Sequence, residues 1–167
     1  MPPSAVAIRP YEAGDWSAVA DILRPIIRSG EYYTFDPETS DEEIEQIWIA
    51  APQETYVAIE PESGRVVGTY YLKPNWPGLG SHVANAGYAI SEEAQGRGVA
   101  STMCEHSLHR ARELGFRAMQ FNFVVSTNER AVQLWRRHGF EIVGVLPEAF
   151  RHARLGYVDV FVMFRKL

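Results

Sequence analysis

The stretch Gln95-Gly96-Arg97-Gly98-Val99-Ala100-Ser101 stands between two segments of different periodicity. Before it, residues 83–90 read as a strand. After it, Ala100, Met103, Cys104, Ser107, Leu108, Ala111 and Leu114 recur at the spacing of one buried helix face, closed by Gly115. Glycines at a strand-to-helix turn let backbone N–H groups approach a ligand without Cβ interference, and the helix start adds unpaired donors and a partial positive charge. The expected ligand of such a loop is a pyrophosphate; a solvated turn with incidental glycines fits the same composition. Two other phosphate loops are excluded. A dinucleotide fingerprint needs Gly or Ala where Ser101 sits, and a Walker loop needs Gly-Lys-Ser/Thr, which is absent.

Upstream of the loop, a strand is expected at 6–9, then a helix marked by Val19, Ile22, Leu23 and Ile26, with Pro25 as a kink or break and Gly30 as its stop. Ser40 and Glu43 have capping-box spacing, ahead of an apolar face of Ile44, Ile47 and Trp48 that ends by Pro52. Residues 55–59 and 66–72 flank a Pro-Glu-Ser-Gly turn and read as a hairpin, with 73–82 a loop. Downstream come a strand at 118–125, a helix capped by Asn128 with Ala131, Leu134 and Trp135 on its face, and strands near 141–146 and 157–164. The order β-α-α-β-β-β-α-β-α-β-β predicts an α/β (α+β) domain spanning 1–167, a mixed central sheet with about four helices.

Composition bounds the partners. The chain has 167 residues, 46% of them hydrophobic and 22% charged, which suits one packed domain rather than a disordered or coiled-coil chain. Sixteen Lys and Arg against 21 Asp and Glu leave a net charge of −5 without a basic run, so nucleic-acid and anionic-membrane partners are not expected. One cysteine cannot close an intrachain disulfide, no apolar stretch approaches a membrane span, and Met1 to Ala5 lacks a charged n-region. A cytoplasmic location is expected.

The loop resembles the acetyl-CoA loop of the GNAT superfamily of N-acetyltransferases, Gln/Arg-x-x-Gly-x-Gly/Ala, matched here by Gln95, Gly98 and Ala100. A second family pattern follows at the proper distance, Asn128-x-x-Ala131-x-x-Leu134-Trp135-x-x-x-Gly139-Phe140. The resemblance implies that the parallel fourth and fifth strands splay apart, and that pantetheine amides add to the exposed edge like a further strand. It implies acetyl-CoA as cosubstrate, held by Ile90, Gln95, Gly96, Arg97, Gly98, Val99, Ala100, Ser101, Asn128 and Trp135. Asn128 is equally explained as a helix cap. A backbone N–H near Ala89 or Ile90 would serve the oxyanion. No catalytic side chain is assigned. Residues 83–90 hold no carboxylate to act as base. Trp135 stands where the family commonly has Tyr, and an indole N–H donates a hydrogen bond but does not deliver a proton.

Asn85 and Asn122 lie within strands, where Asn is depleted, and alternation puts them on one sheet face. They either pair with backbone or hold a small substrate. A narrower resemblance, carried by Lys73-Pro74-Asn75 and by Gly80 to Ala86, is to fungal N-acetyltransferases that detoxify the proline analogue azetidine-2-carboxylate. It implies Asn85, Asn122 and His82 as substrate-site residues, although His82 also suits a turn cap. The expected activity is acetylation of a small amino acid or analogue, for instance a cyclic secondary amine, by direct attack without an acyl-enzyme. Alternatives are a phosphinothricin-type or protein/peptide N-acetyltransferase and a non-catalytic CoA-binding module. The family admits a homodimer. Cys104 on the core face reads as a small hydrophobe. His106 and His109 read as outward-facing, and no metal is expected. Tyr32, Tyr33 and Phe35 are either core anchors or an apolar roof over the acceptor.

Overall fold

The computed structural model describes residues 6–167; the N-terminal segment 1–5, read above for the absence of a leader, lies outside them. Seven strands form one sheet: β1 (Ala7–Pro10), β2 (Glu54–Ile59), β3 (Val66–Pro74), β4 (Val83–Ile90), β5 (Ala118–Val125), β6 (Glu141–His152) and β7 (Gly156–Lys166). Their order is β1-β2-β3-β4-β5-β7-β6, and β4–β5 is the parallel pair. Helices α1 (Trp16–Ser29) and α2 (Asp41–Glu45) belong to one face, α3 (Val99–Glu113) and α4 (Glu129–Arg137) to the other. The mixed sheet and four helices are those expected.

Among the described residues, the two larger of three apolar clusters follow from strand alternation; the third gathers Val125, Phe150 and Val160. Ala84, Ala86 and Tyr88 of β4 join Met119 and Phe121 of β5 under Met103, Cys104 and Leu108 of α3 and Trp135 of α4. On the other face Val57, Tyr71 and Ala89 pack against Val19, Leu23 and Ile27 of α1 and against Ile44 and Trp48. The buried member of the last α1 turn is therefore Ile27, with Ile26 only half-buried. Helix α1 also runs through Pro25 without a break, which overturns one of the two readings of that residue, a kink or a break, because Ile22, Leu23 and Ile27 on either side are locked into the core. Gly30 ends it in the left-handed conformation (φ 66°).

The Ser40 side chain accepts from the Glu43 N–H while the Glu43 carboxylate accepts from the Ser40 N–H, the reciprocal cap expected. After Glu45 the chain widens into a π-helical turn, Gln46–Ala50, that carries Trp48 inward. The Trp48 indole donates to the Thr69 hydroxyl (3.1 Å), and its ring meets Tyr71 edge-on at 4.8 Å. The phenol end of Tyr71 in turn lies over Gly87 of β4. A Cβ there would come within 2.5 Å of Tyr71 Cε1, so only glycine admits this overlap.

His106 departs from expectation. It turns into the boundary of the core, where its Nδ1 pairs with the Tyr70 hydroxyl (2.6 Å) and its ring meets Tyr56 at 5.1 Å. Burial lowers its pKa, which favours the neutral ring. His109 is exposed beside Glu113 (3.2 Å).

Gly87→Ala is expected to destabilise the fold by about 1–3 kcal/mol, the usual range for an overpacked core. A denaturant midpoint equal to that of the unsubstituted protein would contradict the packing described.

Candidate active site

The site begins where strand pairing stops. Strands β4 and β5 pair at Val83–Ala118 and Ala84–Met119 and at no later position. The Val83 carbonyl and the Ser91 N–H bond on the β3 side, whereas the His82 carbonyl accepts from Arg117 on the β5 side. Alternation then directs the backbone of Ala86, Tyr88 and Ile90 into the gap. The next rung would run from the Ala86 N–H to the Gln120 carbonyl. That carbonyl accepts instead from the Asn85 side-chain amide (3.0 Å). Further along, β5 bulges against β7 between Phe121 and Val124, which bends it away from β4. Of the two amides expected to serve an oxyanion, Ile90 faces the gap. Ala89 does not: the same alternation turns its backbone toward Thr69 of β3.

The loop at the open end has its amides free of helical duty. Gly96 (φ 74°) and Gly98 (φ 80°) are both left-handed, and Gly98 caps α3 without a side-chain bond. The first helical bond runs from the Thr102 N–H to the Gly98 carbonyl, so the amides of Val99, Ala100 and Ser101 precede the ladder. No acidic residue occupies the first turn of α3, whereas α2 has three, Asp41, Glu42 and Glu43. The start of α3 is thus left electrostatically open to an anion. Arg130, from the first turn of α4, leans over Gly96 and reaches the Gln95 side-chain carbonyl at 3.5 Å. The Arg97 side chain is engaged with Glu60 (2.7 Å), so its contribution to the loop is its backbone. Ser101 Oγ pairs with His138 Nε2 (2.8 Å).

Asn128 caps α4, its Oδ1 accepting from the Ala131 N–H at 3.3 Å, which leaves the Nδ2 group for other use. Trp135 is nearly buried and packs at 4.8 Å from both Tyr88 and Phe121, forming an aromatic floor under the gap. Asn85 and Asn122 share a sheet face as expected, the one opposite α3 and α4. Asn122 accepts from Gln120 Nε2 (2.9 Å) and donates to Asn75 Oδ1 (2.6 Å), so the three side-chain amides form a chain at the root of the gap. The Nδ2 group of Asn75 is buried without a partner. His82 adjoins Val83, whose carbonyl accepts from the Asn75 N–H. It is exposed before the paired end of β4, about 23 Å or more from Ile90 at the usual strand rise.

Tyr32 and Tyr33, read above as core anchors or a roof, both reach the open end, and residues without a sequence signal join them. A groove of about 1060 Å³ opens beside Ile90, Ser91 and Gln95, walled by Ile22 and Ile26 of α1, Tyr32 and Glu31. Glu31 is anchored there by Arg154 from the β6–β7 turn (2.5 Å). Tyr33 reaches the Tyr88 backbone inside the gap. A smaller hollow of about 550 Å³ near Phe35 and Glu43 lies away from the open strand edge. Cys104 is fully buried and its thiol is pushed up to about 12, which removes it as a nucleophile. Among the described residues, no three His, Cys, Asp or Glu side chains converge as a metal site, and no helix is long and apolar enough to cross a membrane.

Residues 16–140 match the acetyltransferase (GNAT) family. The chain belongs to that family. It is 28% identical over 151 residues to the N-acetyltransferase aca1 of Schizosaccharomyces pombe, covering 81% of this chain and 72% of that protein. A solved GCN5-related N-acetyltransferase from Kribbella flavida superposes with a TM-score of 0.93 at 43% identity, covering 99% of both chains. The phosphinothricin acetyltransferase of Sinorhizobium meliloti, solved with acetyl-CoA, shares the fold with a TM-score of 0.85 at 22% identity, covering 97% of this chain and 88% of that one. The GNAT enzyme described here is an N-acetyltransferase with a parallel pair opened beside a glycine-bearing loop.

Gly98→Asp puts a side chain at φ 80° and a negative charge at the helix start. With CoA as the diphosphate probe, isothermal titration should show affinity at least tenfold weaker. Undiminished affinity would place the anion site elsewhere.

Proposed function

We propose that the protein transfers the acetyl group of acetyl-CoA to the amine of a small amino acid or analogue, with a cyclic secondary amine such as a proline analogue as the favoured acceptor. The observation that carries this reading is the combination of an unpaired β4 edge with a chain of side-chain amides at its root. Pantetheine amides would pair with the backbone of β4 as an added strand, while the diphosphate rests on the amides of residues 96–101, under Arg130. Ile90, Asn128 and Trp135 would line the arm.

Transfer to an amine needs a free nitrogen lone pair, donors for the developing oxyanion and a proton for the leaving thiolate. The backbone N–H groups facing the gap supply the donors. Strand β4 carries no carboxylate, and the Trp135 indole does not release a proton at useful pH, so water serves both proton steps. The amine attacks the thioester directly; the buried Cys104 offers no acyl-enzyme route.

Asn122 and Asn75, with Asn85 fixing the Gln120 carbonyl beside them, would hold the carboxylate of the acceptor. An amide donor buried without a partner, as at Asn75 Nδ2, favours a ligand that supplies an acceptor oxygen. The likeness to the N-acetyltransferase aca1 supports transfer to an amine, and the resemblance of Lys73-Pro74-Asn75 and of Gly80 to Ala86 to the fungal proline-analogue enzymes favours an amino-acid-like acceptor. The likeness in fold to a phosphinothricin acetyltransferase supports a second reading, an acyclic amino-acid analogue with a primary amine. A cytoplasmic detoxifying role and a homodimeric state accompany the first reading as proposals.

Thiol release from acetyl-CoA should be fastest with proline analogues among a panel of cyclic imino acids, phosphinothricin, primary amino acids and Lys-bearing peptides. A peptide or phosphinothricin outcompeting them would overturn the choice of acceptor. Asn122→Ala should raise acceptor KM or lower kcat by about tenfold or more, the scale of one lost hydrogen bond to a charged group, with CoA affinity little changed. Unchanged acceptor kinetics would remove Asn122 from the site.

A further inference from the structure

Tyr33 lies in the segment between Gly30 and Ser40, which contains neither helix nor strand. Its ring is fixed by stacking on Phe35 (centroids 5.6 Å apart, 20° between planes) and by the edge of Trp48 at 5.9 Å. Its hydroxyl donates to the Tyr88 carbonyl at 2.5 Å and accepts from the Tyr88 N–H at 3.2 Å. One oxygen therefore meets both backbone groups of a residue on the open edge of β4, the groups that a neighbouring strand would otherwise satisfy. The two contacts are unequal. The contact from the amide is at the long end of the hydrogen-bond range and is the more easily exchanged of the two.

We infer that Tyr33 is a positioning residue of acetyl transfer: its hydroxyl stands in for the acyl oxygen at the Tyr88 N–H, yields that donor when the thioester arrives, and then orients the acceptor amine. This rests on acetyl-CoA being the cosubstrate. Once the carbonyl oxygen takes the amide, the hydroxyl still donates to the Tyr88 carbonyl and has a lone pair free toward the acyl carbon. A neutral secondary amine has one N–H and one lone pair. Donating that N–H to Tyr33 aims the lone pair at the thioester. The N–C bond forms, the C–S bond breaks to leave the thiolate, the amine proton passes to water, and the thiolate is protonated from water. Tyr33 keeps its own proton throughout, because burial raises its pKa far above the ordinary phenol value.

The test is Tyr33→Phe, which retains the ring and its stacking. Calorimetric affinities for acetyl-CoA and for CoA, which lacks the acyl oxygen, are measured with turnover on the best acceptor. Acetyl-CoA should bind about three- to tenfold more tightly than to the unsubstituted protein, since nothing competes for the Tyr88 N–H. CoA affinity should not change, and kcat should fall at least tenfold. A purely structural role would move both affinities together with the thermal midpoint. Equal kcat with an unchanged ratio of acetyl-CoA to CoA affinity would overturn the role of Tyr33 alone. Failure of the unsubstituted protein to bind either coenzyme would overturn this role and the cosubstrate together.

Discussion

The absence of a third rung between two parallel strands is the constraint on which the rest of the molecule turns. A buried sheet normally leaves no backbone N–H or C=O unpaired, since each such group costs about as much as a lost hydrogen bond. Here the break is local and partly compensated. The Asn85 amide takes the first orphaned carbonyl, the Tyr33 hydroxyl takes the pair at Tyr88, and a chain of amides through Gln120, Asn122 and Asn75 fills the space between. What remains uncompensated faces the loop end of the sheet. A ligand with amides spaced like a peptide would complete the ladder there.

The surrounding elements are arranged to keep that edge open. On one face, Tyr88, Phe121 and Trp135 form an apolar floor that gives β5 no polar reason to return. On the other, Tyr71 occupies the space over Gly87 and supports Trp48, which in turn braces Tyr33. The glycine in β4 is therefore connected through three aromatic rings to the hydroxyl that caps its neighbour. The start of α3, capped by a glycine that offers no side-chain acceptor and without an acid in its first turn, lies just past the same strand. Edge donors and anion site are thus supplied by one continuous segment, 83–101.

Much of this was legible from local pattern. The capping box at Ser40 and Glu43, the periodic face of α3 and the left-handed glycine at position 98 are properties of a few neighbouring residues, and a strand-glycine-helix sequence reports them directly. The family likeness supplied the splay of β4 and β5, which no periodicity encodes. Other features were hidden for physical reasons. Pro25 reads as a kink or break because its cost is local, whereas the packing that carries the helix through it is tertiary. Strand β6 was expected to end near residue 146, yet it runs to His152. Pro147 and Glu148 (φ 49°) interrupt the pattern, and an edge strand tolerates both through a bulge between Leu146 and Phe150. Tyr33 reads, with Tyr32 and Phe35, only as a core anchor or a roof, because the strand its hydroxyl caps lies 55 residues away and leaves no trace in the local pattern. His106 shows the converse: helical spacing set it outside the core face, and only the nearness of Tyr70 on β3 and Tyr56 on β2 draws it in.

The most direct measurement is amide hydrogen exchange at Ala86 and Ile90, read residue by residue before and after saturation with CoA. Fast exchange at both in the free protein and marked slowing in the complex would show the coenzyme joining the sheet as an extra strand. Amides already protected in the free protein, or unaltered at saturation while the coenzyme is bound, would contradict the account.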